Sequence, residues 1–217
     1  MIQERAANAN ISYVSYEDLE AVPTNIDRTA LLQQILIKFE SKGWKDNVEA
    51  VDAIRSINKS YPVDMNMVCK TYWRYIIECL NSVRSAVSKS ALIFVTELFM
   101  QSKGMKLDDQ IILDLVPILL MKCYNEKCFL KVEAQRGIDL VVSNCVYDST
   151  LIAFCRECNS KHATIAELST KVIAKLIGFI GIELPKLQPV TFKELFVTLA
   201  RVRYADSGHG RQKTGHG

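Results

Sequence analysis

The chain has 217 residues, 49% of them hydrophobic and only five of them proline, which excludes a disordered polymer and supplies enough apolar surface for one sizeable core or a thin continuous core between stacked repeats. Its formal charge of +3, from 27 basic and 24 acidic residues, is too small for a nucleic-acid binder, which is expected to carry a strongly basic domain or stripe. Seven cysteines scattered through apolar segments fit reduced thiols in the cytoplasm, and Met1 to Asn10 lack the apolar stretch of a signal peptide.

Residues 1–23 are polar and end at Pro23, so an N-terminal extension that packs weakly or acts as a linker is expected. Residues 24–205 read as helix after helix. Thr24 or Asn25 is placed to cap a first helix whose Leu31, Leu32, Ile35, Leu36 and Phe39 form one apolar stripe, and Gly43 ends it. A second starts at Trp44, presents Val48, Val51, Ile54 and Ile57, and stops at Ser60-Tyr61-Pro62.

The pattern then predicts helices over 67–80, 83–101, 107–124, 129–142, 149–158, 164–182 and 191–204. Ile111 to Met121 is the longest apolar run, but Asp114 and Pro117 interrupt it and it falls short of the roughly 20 residues that span a bilayer, so no membrane partner is expected. Nowhere is there the sustained period-2 alternation of a half-buried strand. Residues 206–217, rich in glycine with Arg211 and Lys213, are expected to form a flexible basic tail or a truncated loop.

Short links make consecutive helices antiparallel hairpins. The second members begin near Trp44, Val83, Phe129 and Thr164, a recurrence compatible with the roughly 40 to 47 residue HEAT period. The expected fold is therefore all-α, a HEAT-repeat α-solenoid of antiparallel hairpins with about four complete hairpins and part of a fifth, its turns aligned along one edge.

Those turns share a composition. The first, Lys42-Gly43-Trp44-Lys45, sets an indole beside two cations. Arg84 and Lys89 follow Val83 in the second, where cations at a helix N-terminus oppose the macrodipole. In the third, Phe129 precedes Lys131, and the fourth carries Lys161 without a large apolar anchor. Trp and Arg are frequent binding hot spots, and a row of such anchors suits an acidic protein surface. Packing of Trp44 against its own hairpin is the competing reading.

Two segments, Trp44-Lys45-Asp46-Asn47-Val48-Glu49-Ala50-Val51 and Asn81 to Phe99, together with Phe129 to Arg136, resemble the TOG domain, a HEAT-repeat tubulin-binding module, and within it the crescerin family of ciliary TOG proteins. The resemblance covers about residues 24 to 180. It implies a non-enzymatic partner of α/β-tubulin or microtubules in the cytoplasm, cytoskeleton or ciliary axoneme, with further domains of a multi-TOG protein beside it. It also implies first-loop contacts from Trp44 and Lys45, second-loop contacts from Val83 and Arg84, and third-loop contacts from Phe129 and Lys131, with Lys89 and Lys161 extending the basic line. A HEAT scaffold for a non-tubulin protein is the alternative.

Sharper chemistry finds little footing. Cys155-Arg156-Glu157-Cys158 with His162 has three residues of zinc-ligand type, but no second CxxC closes a tetrahedron, and buried thiols are the expected reading. In Gly208 to Thr214, Gln212 stands where a phosphate loop needs glycine before its lysine. Histidines at 162, 209 and 216 offer no Ser-His-Asp arrangement, and Asp108 with Asp109 suits a helix start. No catalytic residue, metal or cofactor is expected.

Overall fold

A computed structural model describes residues 13–41, 43–103, 107–124, 127–145, 147–181 and 187–209. Nine α-helices dominate the described residues, among which there is no strand, so the fold is all-α. They are α1 (Arg28–Glu40), α2 (Trp44–Ser60), α3 (Met65–Leu80) after a 3-10 turn at Pro62–Asp64, α4 (Ser85–Gln101), α5 (Asp109–Lys122), α6 (Cys128–Asn144), α7 (Tyr147–Glu157), α8 (Ala163–Ile180) and α9 (Pro189–His209).

Most boundaries fall within two residues of the sequence reading, and the differences have local causes. Asp27, rather than Thr24 or Asn25, caps α1, its Oδ1 accepting from the backbone N–H groups of Thr29 at 2.9 Å and Ala30 at 3.2 Å. This satisfies two of the donors that every helix start leaves open. α5 continues across Pro117, which lies inside it. α9 continues to His209 beyond the expected end at Tyr204, and the rest of the expected tail, 210–217, lies outside the described residues, as do 1–12 of the extension.

The helices group into two compact units, α1 to α4 with α6, and α5 with α7 to α9. In the first, α2 lies against α4 and α4 against α6, while α1 packs on α2 and α3 on α4. The second members of the first three hairpins therefore form one layer. α4 sits in its middle and is buried nearly all round, from Ala86 and Val87 through Leu92, Phe94 and Val95 to Phe99. A helix with neighbours on three sides has no face left for solvent, which is why this segment reads as almost uniformly apolar. Its Ser88 hydroxyl, fully buried, donates to the Leu80 carbonyl at 2.8 Å.

Residues 13–23, the described part of the expected extension, are tied to α2. Leu19 is buried, the Val14 carbonyl accepts from Arg55 Nη2 at 2.8 Å, and Lys59 Nζ donates to the carbonyls of Glu17 at 2.7 Å and Leu19 at 2.9 Å. The attachment uses backbone carbonyls as acceptors, a property every sequence has and none displays.

In the second unit α7 packs against α8 and α9, burying Leu151, Phe154, Ile173, Leu176 and Leu195. Asp148 Oδ1 accepts from Gln188 N–H at 2.9 Å and from the Thr191 hydroxyl at 2.6 Å, pinning the start of α9 to α7.

Candidate protein-binding edge at the hairpin turns

The edge is built by the starts of α2, α4 and α6. Their N-cap positions hold Gly43, Arg84 and Lys127, and none of these supplies a side-chain capping hydrogen bond. The macrodipole places positive partial charge at such ends; α2 answers it with Asp46 in its first turn, whereas the first turns of α4 and α6 hold no acidic residue.

In the first turn the Ser41 hydroxyl donates to Asp46 Oδ2 at 2.6 Å and accepts from Gly43 N–H at 3.1 Å, fixing the entry into α2. Trp44 follows, half-buried. Its ring has Lys45 Nζ at 5.9 Å from the centroid and, from the second turn, the Arg84 guanidinium carbon at 5.6 Å. Both lie within cation–π reach. Lys42 of the same turn lies outside the described residues.

Because α4 begins at Ser85 and not at Val83, Val83 and Arg84 belong to the turn itself. Val83 is 97% exposed, an apolar side chain held in water beside a cation. One turn into α4, Lys89 stands between two rings, its Nζ 4.1 Å from the centroid of Tyr13 and 5.5 Å from that of Phe129. Phe129, at the start of α6, is 43% exposed.

The first three turns thus meet. Arg84 reaches back to Trp44 and Lys89 reaches forward to Phe129, so residues up to 85 positions apart share one edge. Lys45 and Lys131 are exposed on it. Lys161 is exposed too, but belongs to the other unit, beside His162 at the N-cap of α8.

Sequence reasoning missed Tyr13. Its hydroxyl donates to the Ala86 carbonyl at 3.4 Å while its ring covers Lys89, and burial followed by the charge of Asp52 raises its phenol pKa above the ordinary value. The only signal was a pair of aromatics, Tyr13 and Tyr16, in an otherwise polar stretch.

No family model, curated protein or solved structure matches the chain. The geometry must speak for the site.

What it offers is attraction and burial. The N-termini of α4 and α6 and the cations Lys45, Arg84, Lys89 and Lys131 present positive potential, while Val83, Phe129 and part of Trp44 present apolar surface. Elsewhere, Cys155 is buried and its thiol pKa pushed up to about 11 by burial, Cys158 is half-buried and raised by the same cause, and His162 is exposed. Among the described residues no three His, Cys, Asp or Glu side chains are grouped to hold a metal ion, and no helix is long and apolar enough to cross a membrane. Most of the glycine-rich stretch from Gly208 to Thr214 lies outside the described residues.

Proposed function

We propose that this chain is a TOG-like HEAT-repeat domain that binds α/β-tubulin through its hairpin turns and so organises or regulates microtubules, including those of cilia. The observation that carries the reading is the continuous edge of Trp44, Arg84, Lys89 and Phe129, in which three successive turns are joined by ring–cation contacts. Side-by-side packing of α2, α4 and α6 supports a HEAT-like stacking of hairpins within the first unit. An acidic partner surface would be drawn by the cations and dipole ends, then held by burial of Val83, Phe129 and the free face of Trp44. Lys45 and Lys131 supply further positive charge on this edge, and no catalytic role is assigned.

Purified protein is expected to co-elute with tubulin on gel filtration, and the Trp44→Ala, Arg84→Ala double variant to elute apart from it. Indistinguishable profiles for the two proteins would remove the proposal.

A HEAT scaffold for a non-tubulin partner is favoured by one observation: the Trp44 ring is already half-covered by the chain's own Arg84 and Lys45. With Trp73 replaced by Phe, the Trp44 fluorescence decides. A spectrum unchanged by tubulin supports the scaffold, and a blue shift or quench supports the tubulin reading.

A further inference from the structure

α9 turns its more apolar side to water. Over 189–201 two stripes run along it one residue apart, each at the i, i+4, i+7 spacing that lines one side of a helix. The inner stripe, Thr191, Leu195 and Thr198, is buried, and its Thr191 hydroxyl donates to Asp148 of α7 at 2.6 Å. Two of its three residues are hydroxylic. The outer stripe, Phe192, Phe196 and Leu199, is wholly apolar yet 39%, 57% and 40% exposed. The two rings pack on each other, centroids 4.7 Å apart and planes at 51°, and so form one continuous surface.

A helix that is apolar on more than one side is ordinarily covered on more than one side. α4 is the example within this chain, enclosed by α2, α3 and α6. α9 has α7 against its inner stripe and water against its outer one. Residues 210–217, which follow it, hold no hydrophobic side chain to lay there.

The outer stripe is also self-complementary. Its steps of four and then three residues are those of the apolar seam between paired helices. About a two-fold axis between residues 197 and 198, an antiparallel α9 from a second copy sets its Leu199 against Phe196 and its Phe196 against Leu199, and no charge stands at the three stripe positions to repel its image. With about 150–250 Å² for a whole aromatic side chain, the stripe exposes roughly 300 Å² in one copy. A symmetric pair therefore removes roughly 600 Å² through these residues alone and, with Lys193 and Ala200 beside them, approaches the roughly 1,000 Å² of the weaker specific interfaces.

We infer that α9 is a self-association helix, through which two copies of this chain pair antiparallel by Phe192, Phe196 and Leu199 into a weak symmetric dimer. The contact lies within the second unit and asks nothing of the turn edge, so it holds whatever that edge binds, and a dimer carries that edge twice.

The test is sedimentation equilibrium of the full chain under reducing conditions, from micromolar to submillimolar concentration. The mass is expected to climb from the 24.5 kDa of one chain to twice that value and stop there, with a dissociation constant of about 10–100 µM. Phe196→Lys and Leu199→Glu, both at exposed positions, are each expected to hold the chain at the mass of one copy with an unchanged circular dichroism spectrum. Mixed in equal amounts, these two variants are expected to associate again, because the antiparallel register sets the lysine of one against the glutamate of the other and keeps Leu199 on Phe196 at the second contact. Val190→Asp, on the same helix and 60% exposed but off the stripe, is expected to leave the dimer intact. A mass of one chain at every concentration overturns the proposal, as do growth past the dimer, a dimer that survives Phe196→Lys, an equal loss in Val190→Asp, or variants that fail to associate when mixed.

Discussion

Arg55 and Glu97 face each other between α2 and α4 in a two-point ion pair, Nε to Oε2 at 2.8 Å and Nη2 to Oε1 at 2.7 Å, with 0% and 4% of their surfaces exposed. Four hydrogen bonds hold the guanidinium. Nη1 donates to Asp52 Oδ1 at 2.8 Å and Nη2 also reaches the Val14 carbonyl at 2.8 Å. Burial works to lower the Arg55 pKa, but the hydrogen bonds it donates to Glu97 and then to Asp52 outweigh it, and the net shift is upward. One charge thereby links α2, α4 and the N-terminal segment.

Removing one partner leaves a buried charge without its counter-ion, whereas removing both does not. Glu97→Ala is expected to lower stability by about 3–5 kcal/mol in urea denaturation. Arg55→Met with Glu97→Leu should recover most of that loss. A single variant within about 1 kcal/mol of the wild type would mean that water reaches the site and the pair is not buried in solution.

The tie to the N-terminal segment gives a second expectation. Tyr13→Ala removes the ring over Lys89 and the hydrogen bond to Ala86, and is expected to cost about 1 kcal/mol by the same measurement. Amide exchange in residues 14–19 should rise in parallel. An unaltered exchange pattern would show that Val14 and Leu19 hold the segment without Tyr13.

At Gly43 a side chain has no room. A Cβ there would collide with the Asp46 carboxylate, which is held in place by the Ser41 hydroxyl. Gly43 also occupies an N-cap, where alanine is among the poorer residues. Gly43→Ala is expected to destabilise by about 1–2 kcal/mol, and Gly43→Ala with Asp46→Ala by less than the sum of the two single changes. Additive losses in a double-mutant cycle would contradict the clash.

Alkaline pH should unfold the protein early. Burial pushes the thiols of Cys69 and Cys79 up to about 12, and those of Cys123, Cys145 and Cys155 up to about 11, from an ordinary value of 9.0. Between about pH 9 and 11 the unfolded chain releases thiol protons that the folded chain retains, so the unfolded state binds fewer protons and stability falls as pH rises. The contribution is fully present below pH 9 and disappears toward 11 to 12. Thermal melts under reducing conditions should show a midpoint falling across this window, and replacing Cys69 and Cys79 by Ala or Val should flatten the fall. At pH 8, maleimide should label exposed Cys128 first. Prior labelling of Cys69 would contradict the burial.

The helical nature of the chain was legible because apolar spacing at three and four residues is a property of local sequence, and each helix needs only its own residues to show it. Gly43 and the Ser60-Tyr61-Pro62 stop marked turns for the same reason. Boundary errors at Asp27 and at Ser85 arose where a cap or a turn hydrogen bond, rather than periodicity, decides the first helical residue. Trp44, Arg84, Lys89 and Phe129 were all singled out as types of residue, but nothing local says that Arg84 lies on Trp44 or Lys89 on Phe129.

Sequence alone determined the helices, their order and the anchor-plus-cation composition of the turns. Tertiary structure decided which helices share a unit, that α2, α4 and α6 lie side by side, that Tyr13 belongs to the edge, and that Arg55 finds Glu97 across 42 positions. The physical reason is the range of the forces involved. Periodicity and capping act within a turn or two of helix, whereas ion pairs, ring–cation contacts and clefts form between groups that only the packing of α4 among its neighbours brings within a few ångströms.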